Sequence, residues 1–143
     1  MKGLSRRTTD QVDKGNAEGL LAIAFLSEAA TRNIAAVLEH PFESYLLQAP
    51  EMKVSMKRLR LQCHKFHQCL YDGEAMKGTT FVATAACTWL HEFGGICSNI
   101  NGICDRTGKH RRLQGFRTTQ TQYYSDAMAE DIADFAALTA AVL

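Results

Sequence analysis

Residues 50–71, PEMKVSMKRLRLQCHKFHQCLY, decide which fold the sequence predicts. Apolar residues recur along this segment at alternating steps of four and three, which is the spacing of a buried stripe on an α-helix. Pro50 is typical of a helix start, and Asp72 with Gly73 is typical of a helix end. We therefore predict one continuous helix, whose buried stripe comprises Met52, Met56, Leu59, Cys63, Phe66 and Leu70.

Helical periodicity also dominates the rest of the chain, where strand signals are weak. We expect three more long helices, over residues 10–39, 79–93 and 120–143, and a short helix that begins at Pro41. Short connections between most of these helices are typical of an antiparallel bundle. The sequence therefore predicts an all-α fold, an antiparallel helical bundle of four to five helices.

One long connection is expected in this bundle. Residues 94–119 contain five glycines and several cations, and we predict a long Gly-rich basic loop there. The length of the chain suits one hydrophobic core, so we expect residues 1–143 to form a single domain. The first residues, 1–9, are expected to be flexible.

The composition is that of an ordinary globular protein, with 46% hydrophobic and 22% charged residues and a net charge of +1. The longest apolar stretch, residues 19–38, is interrupted by Glu28, Arg32 and Asn33, so we expect no membrane span. The basic N-terminus lacks the apolar core of a secretion signal. Five cysteines are an odd number and are interpreted as reduced thiols, so the predicted location is cytoplasmic.

The sequence CHKFHQC, residues 63–69, raises the question of a metal site. On a regular helix Cys63 and Cys69 lie about 120° apart, whereas Cys63 and His67 share a face. Cys87 and His91 repeat this spacing in the next predicted helix. If the two helices pack side by side, these two cysteines and two histidines could form a tetrahedral zinc site.

The competing interpretation is that no metal or other cofactor is bound. Cys63 occupies a position in the predicted buried stripe, and a buried free cysteine behaves as a small hydrophobic residue. The sequence also lacks the cysteine and histidine pairs of the usual zinc fingers. Ligands from the loop, such as Cys97 or Cys104, are the least favoured set.

A second stripe on the predicted central helix is basic, and the loop carries a further group of cations. The stripe contains Lys53, Lys57, Arg60, His64 and His67, and the loop contains Arg106, Lys109, Arg111, Arg112 and Arg117. By contrast, residues 118–143 contain several acidic residues and no lysine or arginine. We interpret the basic residues as a surface that binds another protein or an acidic patch, with nucleic acid as a second candidate. The alternative is that the basic and acidic faces pair within the fold or across a homodimer, or are simply solvated.

RLRLQCH, residues 58–64, resembles the Arg-x(4–6)-His pattern of the HEPN ribonucleases. These are small helical proteins, often dimeric, that act on RNA phosphodiesters. The resemblance implies that Arg58 would hold the phosphate and that His64 would serve as acid or base. Arg60, which shares a helical face with His64, belongs to the same alternative.

No complete catalytic motif is present in the sequence. GICDRTGKH, residues 102–110, lacks the spacing of a phosphate-binding Walker loop. We therefore predict a non-enzymatic helical interaction protein, such as an inhibitor, an adaptor or an accessory factor of the phage or mobile-element type. Two alternatives stay open, namely a nucleic-acid-binding protein or HEPN-like ribonuclease, and a zinc-stabilised helical domain.

Overall fold

The fold combines helices and strands, so the all-α prediction is wrong. The computed structural model describes residues 6–72, 75–92, 94–110 and 124–140. The described helices are α1 (Arg6–Thr31), α2 (Tyr45–Gln48), α3 (Pro50–Leu59) and α4 (Asp126–Ala140). The strands are β1 (Val37–Pro41), β2 (Gln62–His67) and β3 (Gly78–Ala83). Short 3-10 helices lie at Gln68–Tyr71, Thr88–Glu92 and Ile100–Gly102.

The three strands form an antiparallel sheet in the order β1-β3-β2. Phe81 of β3 lies opposite Glu39 of β1 and opposite His64 of β2. Because side chains alternate between the two faces of a sheet, these three residues share one face. Val82, the next residue of β3, belongs to the other face.

Both faces of the sheet are covered. On the Phe81 face, Phe66 and Met128 of α4 belong to the same buried cluster. On the opposite face, Val82 is buried with Leu26 of α1. The core therefore lies on both sides of the central strand, and the sheet separates α1 and α3 from α4.

The predicted helix over residues 50–71 is two elements. α3 ends at Leu59, because Arg60 adopts a left-handed conformation with a φ of 52° and its N–H closes the last turn. The chain then continues as β2, where Phe66 packs edge-on against Phe81 with 4.9 Å between the ring centroids. The apolar residues of this segment recur every three or four residues, which suits a helix. Pairing with β3 nevertheless makes the segment a strand.

The predicted helix over residues 79–93 is also wrong, because its first part is β3. All residues of this strand except Gly78 are buried. A strand that is buried on both faces does not alternate apolar and polar residues, so its sequence lacks the usual period of two. The run TTFVAT, residues 79–84, is nevertheless rich in the β-branched and aromatic residues that strands prefer.

The other two long helices differ from their predicted bounds. The helix predicted over residues 10–39 ends at Thr31, where Asn33 turns the chain with a φ of 54° before β1 begins. The helix predicted over residues 120–143 is represented by α4. Its two predicted ends, 120–123 and 141–143, lie outside the described residues.

The predicted loop over residues 94–119 is described as far as residue 110. That part is irregular except for one short 3-10 helix. Of the N-terminal residues expected to be flexible, 1–5 lie outside the described ranges and 6–9 begin α1. None of the described helices is long and apolar enough to cross a membrane.

Thr84 ties the end of β3 to the link between α1 and β1. Its hydroxyl donates to the Ile34 carbonyl over 2.8 Å and accepts from the Ala36 N–H over 3.2 Å. Its own N–H donates to the Ala36 carbonyl over 3.0 Å. Because the Thr84 side chain is buried, water cannot readily replace these bonds.

Replacing Thr84 by valine keeps the shape of the side chain and removes both hydroxyl bonds. We expect Thr84→Val to lower the free energy of unfolding by about 1–3 kcal/mol, because two backbone groups lose their partner. Thr84→Ser is the matched control, since it keeps the hydroxyl and loses one methyl group, worth about 0.8 kcal/mol. Urea denaturation followed by circular dichroism measures both. A valine variant at least as stable as the serine variant would contradict this role.

Candidate metal centre

Three cysteines and one histidine converge beyond the end of β2. Cys69 lies in the 3-10 helix that follows this strand, and Cys97, Cys104 and His110 lie in the irregular segment 94–110. The three thiol sulfurs and the nearest imidazole nitrogen all lie within 4.8 Å of one another. The cysteines are buried and His110 is half-buried, so the four groups surround a small, shielded space.

The separations suit a single metal ion. Tetrahedral zinc has Zn–S bonds of about 2.3 Å and Zn–N bonds of about 2.0–2.1 Å, which places a sulfur and a nitrogen ligand about 3.6 Å apart. The distance from Cys97 Sγ to His110 Nε2 is 3.5 Å. All five cysteines of the chain are free thiols. Three cysteines with one histidine form one of the usual ligand sets of structural zinc.

Cys104 opens a tight turn that directs backbone N–H groups at its sulfur. Gly108 donates its N–H to the Cys104 carbonyl over 3.0 Å and has a φ of +74°, which favours glycine. Burial raises the pKa of the Cys104 thiol, but hydrogen bonds from Thr107 and from the Arg106 backbone outweigh it and lower the pKa to about 6. Cys104 is therefore prepared to act as a thiolate ligand at neutral pH.

Cys69 has the opposite tendency. Burial, followed by the neighbouring Cys104 and Cys97 thiols, raises the pKa of Cys69 to about 12. The two shifts have opposite directions, so Cys104 loses its proton more readily than Cys69 in the metal-free centre. An ion that binds all three sulfurs must displace the Cys69 proton.

An ion pair joins the turns that carry Cys69 and Cys104. Arg106 contacts both carboxylate oxygens of Asp72 at 3.0 Å and donates to the Leu70 carbonyl over 2.6 Å. A bidentate pair of this kind fixes orientation as well as distance. Arg106 thus holds the two ligand-bearing turns together.

The Cys97 side of the centre is anchored to β2. The backbone N–H of Cys97 donates to His67 Nδ1 over 3.1 Å. The backbone N–H of His67 donates to the Gly95 carbonyl over 2.9 Å. Phe42 stacks on the His67 ring with 5.1 Å between centroids, which restrains that ring. His67 is therefore an outer contact of the centre, and such contacts orient metal ligands.

The structure does not unite the four ligands predicted from the sequence. Cys63 is exposed on the edge strand β2, and Cys87 is buried beside the Ala36 carbonyl, 3.5 Å away. His91 is exposed and contacts Glu92, whereas His67 borders the centre described above. The two adjacent helices on which that set depended are absent from the described fold. Across the described residues, the cluster of Cys69, Cys97, Cys104 and His110 is the one group of possible metal ligands found.

The predicted basic stripe is divided between elements. Lys53, Lys57 and Arg60 are exposed on α3 and its C-terminal cap. His64 and His67 lie three residues apart on β2, and therefore on opposite faces of the sheet.

Of the predicted loop cations, Arg106 pairs with Asp72 and Lys109 is exposed. The other three, Arg111, Arg112 and Arg117, lie outside the described residues.

The residues of the HEPN resemblance also lie on different elements. Arg58 is exposed on α3, and His64 is half-buried on β2. The all-α fold that the resemblance implied is not the fold of this chain.

Sequence reasoning missed the centre because its spacing is unusual. Six residues separate Cys97 from Cys104 and five separate Cys104 from His110, and Cys69 precedes them by more than two dozen residues. The sequence feature that could have predicted the centre is the presence of three potential ligands in one long segment that lacks regular structure. Such segments in compact proteins need another source of order.

No protein-family model matches the chain, and no curated protein and no solved structure is similar enough to count as a match.

In the metal-free protein we expect one thiol to ionise as the pH rises through about 6, because of the lowered pKa of Cys104. Ultraviolet absorbance of the thiolate measures this transition, which Cys104→Ser should remove and Cys63→Ser should retain. The lowered pKa also stabilises the metal-free fold. That contribution is complete above the ordinary thiol pKa of 9.0 and is lost as the pH falls through about 6. Persistence of the transition in Cys104→Ser would show that another group titrates.

Proposed function

We propose that this protein is a non-enzymatic interaction domain stabilised by zinc. Cys69, Cys97, Cys104 and His110 would bind one Zn²⁺ and hold residues 94–110 against the end of β2. The observation that supports this proposal is the convergence of their four ligand atoms within 4.8 Å.

A structural role suits this centre better than a catalytic one. Four protein ligands complete the tetrahedral coordination of zinc, whereas catalytic zinc sites keep one position for water or substrate. The cysteines are buried, so substrate would also have little access to the ion. The metal would therefore contribute folding free energy and perform no reaction.

Segment 94–110 buries few apolar side chains. Its isoleucines, Ile96, Ile100 and Ile103, are all more than half exposed. The buried apolar contacts that normally order a segment of this length are replaced by the cysteine cluster. Zinc binding would supply the missing stabilisation.

The same three isoleucines would form the interaction surface. They are three exposed apolar side chains within eight residues of the chain, and a concentration of exposed apolar surface is a candidate protein-binding site. Lys109, exposed on this segment, would add positive charge for an acidic partner. The centre would thus present the segment to another protein.

We expect the purified chain to contain one zinc ion per molecule by elemental mass spectrometry. Cys104→Ser should lose this ion, because three ligands cannot complete the buried site, whereas Cys63→Ser should keep it. A strong chelator should lower the melting temperature of the wild type and leave that of Cys104→Ser unchanged. Full zinc content in Cys104→Ser, or an unchanged wild-type melting temperature after complete zinc removal, would refute the structural zinc centre.

The interaction surface needs a separate experiment. The immobilised wild-type chain should retain a host protein. We expect the recovered amount of that protein to fall at least about fivefold with the double variant Ile100→Ser and Ile103→Ser. Leu21→Ser, which changes an exposed leucine of α1, is the control and should retain it. Zinc content must be equal in all three proteins. Equal recovery with the double variant and the control would contradict the proposed surface.

A further inference from the structure

A second feature lies beside β1, at the opposite edge of the sheet from β2. A partly open cavity of about 510 Å³ is bordered by the Phe81 face of the sheet, the 3-10 helix at Thr88–Glu92 and α4. Its walls are mostly apolar and include Val37 and Ile132. This volume is typical of a site for a small organic molecule. None of the four proposed zinc ligands lines it.

Glu39 is the one charged residue among the described residues that line this cavity. It lies opposite Phe81, so its side chain leaves β1 on the face that the cavity occupies. Its Oε1 atom is buried, and no hydrogen-bond donor reaches that atom among the residues that the structure describes. Burying a carboxylate oxygen without a donor is unfavourable, so a cation bound against the Glu39 carboxylate would lower a cost that the fold already carries.

Aromatic rings line the cavity near this carboxylate. Phe81, Trp89 and Tyr124 all contribute to its walls. Trp89 stacks on Phe135 with 5.3 Å between centroids and 5° between planes, which fixes the indole from outside the cavity. Burial and the nearby Glu39 raise the pKa of Tyr124, so its phenol stays neutral. Aromatic faces beside a carboxylate attract organic ammonium groups.

We propose that this cavity binds a small organic cation, an amine or quaternary ammonium group attached to an apolar body. The ammonium group lies against the Glu39 carboxylate and the aromatic rings, and the apolar body contacts Val37 and Ile132. An anionic ligand is disfavoured because, among the described residues, the cavity is lined by a carboxylate and by no lysine, arginine or histidine. A neutral apolar ligand would leave Glu39 without a partner.

The test uses four probes on the full chain as purified, with isothermal titration calorimetry at one ionic strength. Benzyltrimethylammonium and benzylamine are cations, benzyl alcohol is neutral and benzoate is an anion, and all four carry the same ring. We expect saturable binding of both cations at least about tenfold tighter than that of benzyl alcohol, and no binding of benzoate. Absence of saturable cation binding, or equal affinity for benzyl alcohol, would overturn the proposal.

Two variants locate the binding site. Glu39→Gln should remove the preference for cations, whereas Glu43→Gln, which changes an exposed carboxylate just beyond β1, should keep it. Ala136→Phe places a ring in the cavity from α4 and should weaken the binding of both cations at least about tenfold. Melting temperatures show whether each variant folds. Cation binding that is unchanged in folded Glu39→Gln would place the site elsewhere and refute the assignment.

Discussion

The pairing of β2 with β3 is the interaction on which the rest of the structure depends. It ends where His67 lies opposite Gly78, and the chain must turn there. Gln68 holds that turn, with its N–H donating to the Lys77 carbonyl and its side-chain amide donating to the Thr79 hydroxyl, both over 2.9 Å. Cys69 follows directly, so the register of two strands determines where the first ligand of the metal centre lies.

The same pairing guides segment 94–110 to the centre. At Gly94 the chain passes so close to β2 that a Cβ atom would lie 2.6 Å from His64 Nε2 and 2.8 Å from the Cβ of Phe66. Its φ of +107° also favours glycine. From that crossing the chain reaches Cys97 within three residues. A close backbone approach that only glycine allows thus delivers the second ligand.

The sequence alone predicts a helix whose apolar residues recur with a helical period. It does not predict a strand whose burial depends on pairing with another strand. α3 has the predicted buried Met52 and exposed Lys57 because both follow from a helical period. β2 and β3 are short, and their burial depends on each other and on helices from distant parts of the chain. The candidate metal centre depends on the same pairing, because Cys69 becomes a possible ligand only after the strands have paired.

The net charge that the candidate centre would have with zinc bound affects how the basic loop is interpreted. One Zn²⁺ with three thiolates and a neutral imidazole carries a net charge of one negative unit. Arg106, next to Cys104 in the turn, is already paired with Asp72, while Lys109 is exposed beside His110. Lys109 is the sequence neighbour of a proposed ligand, so its charge would act on a zinc-loaded centre as well as on a partner. The exposed isoleucines are therefore the more specific feature of the proposed interaction surface.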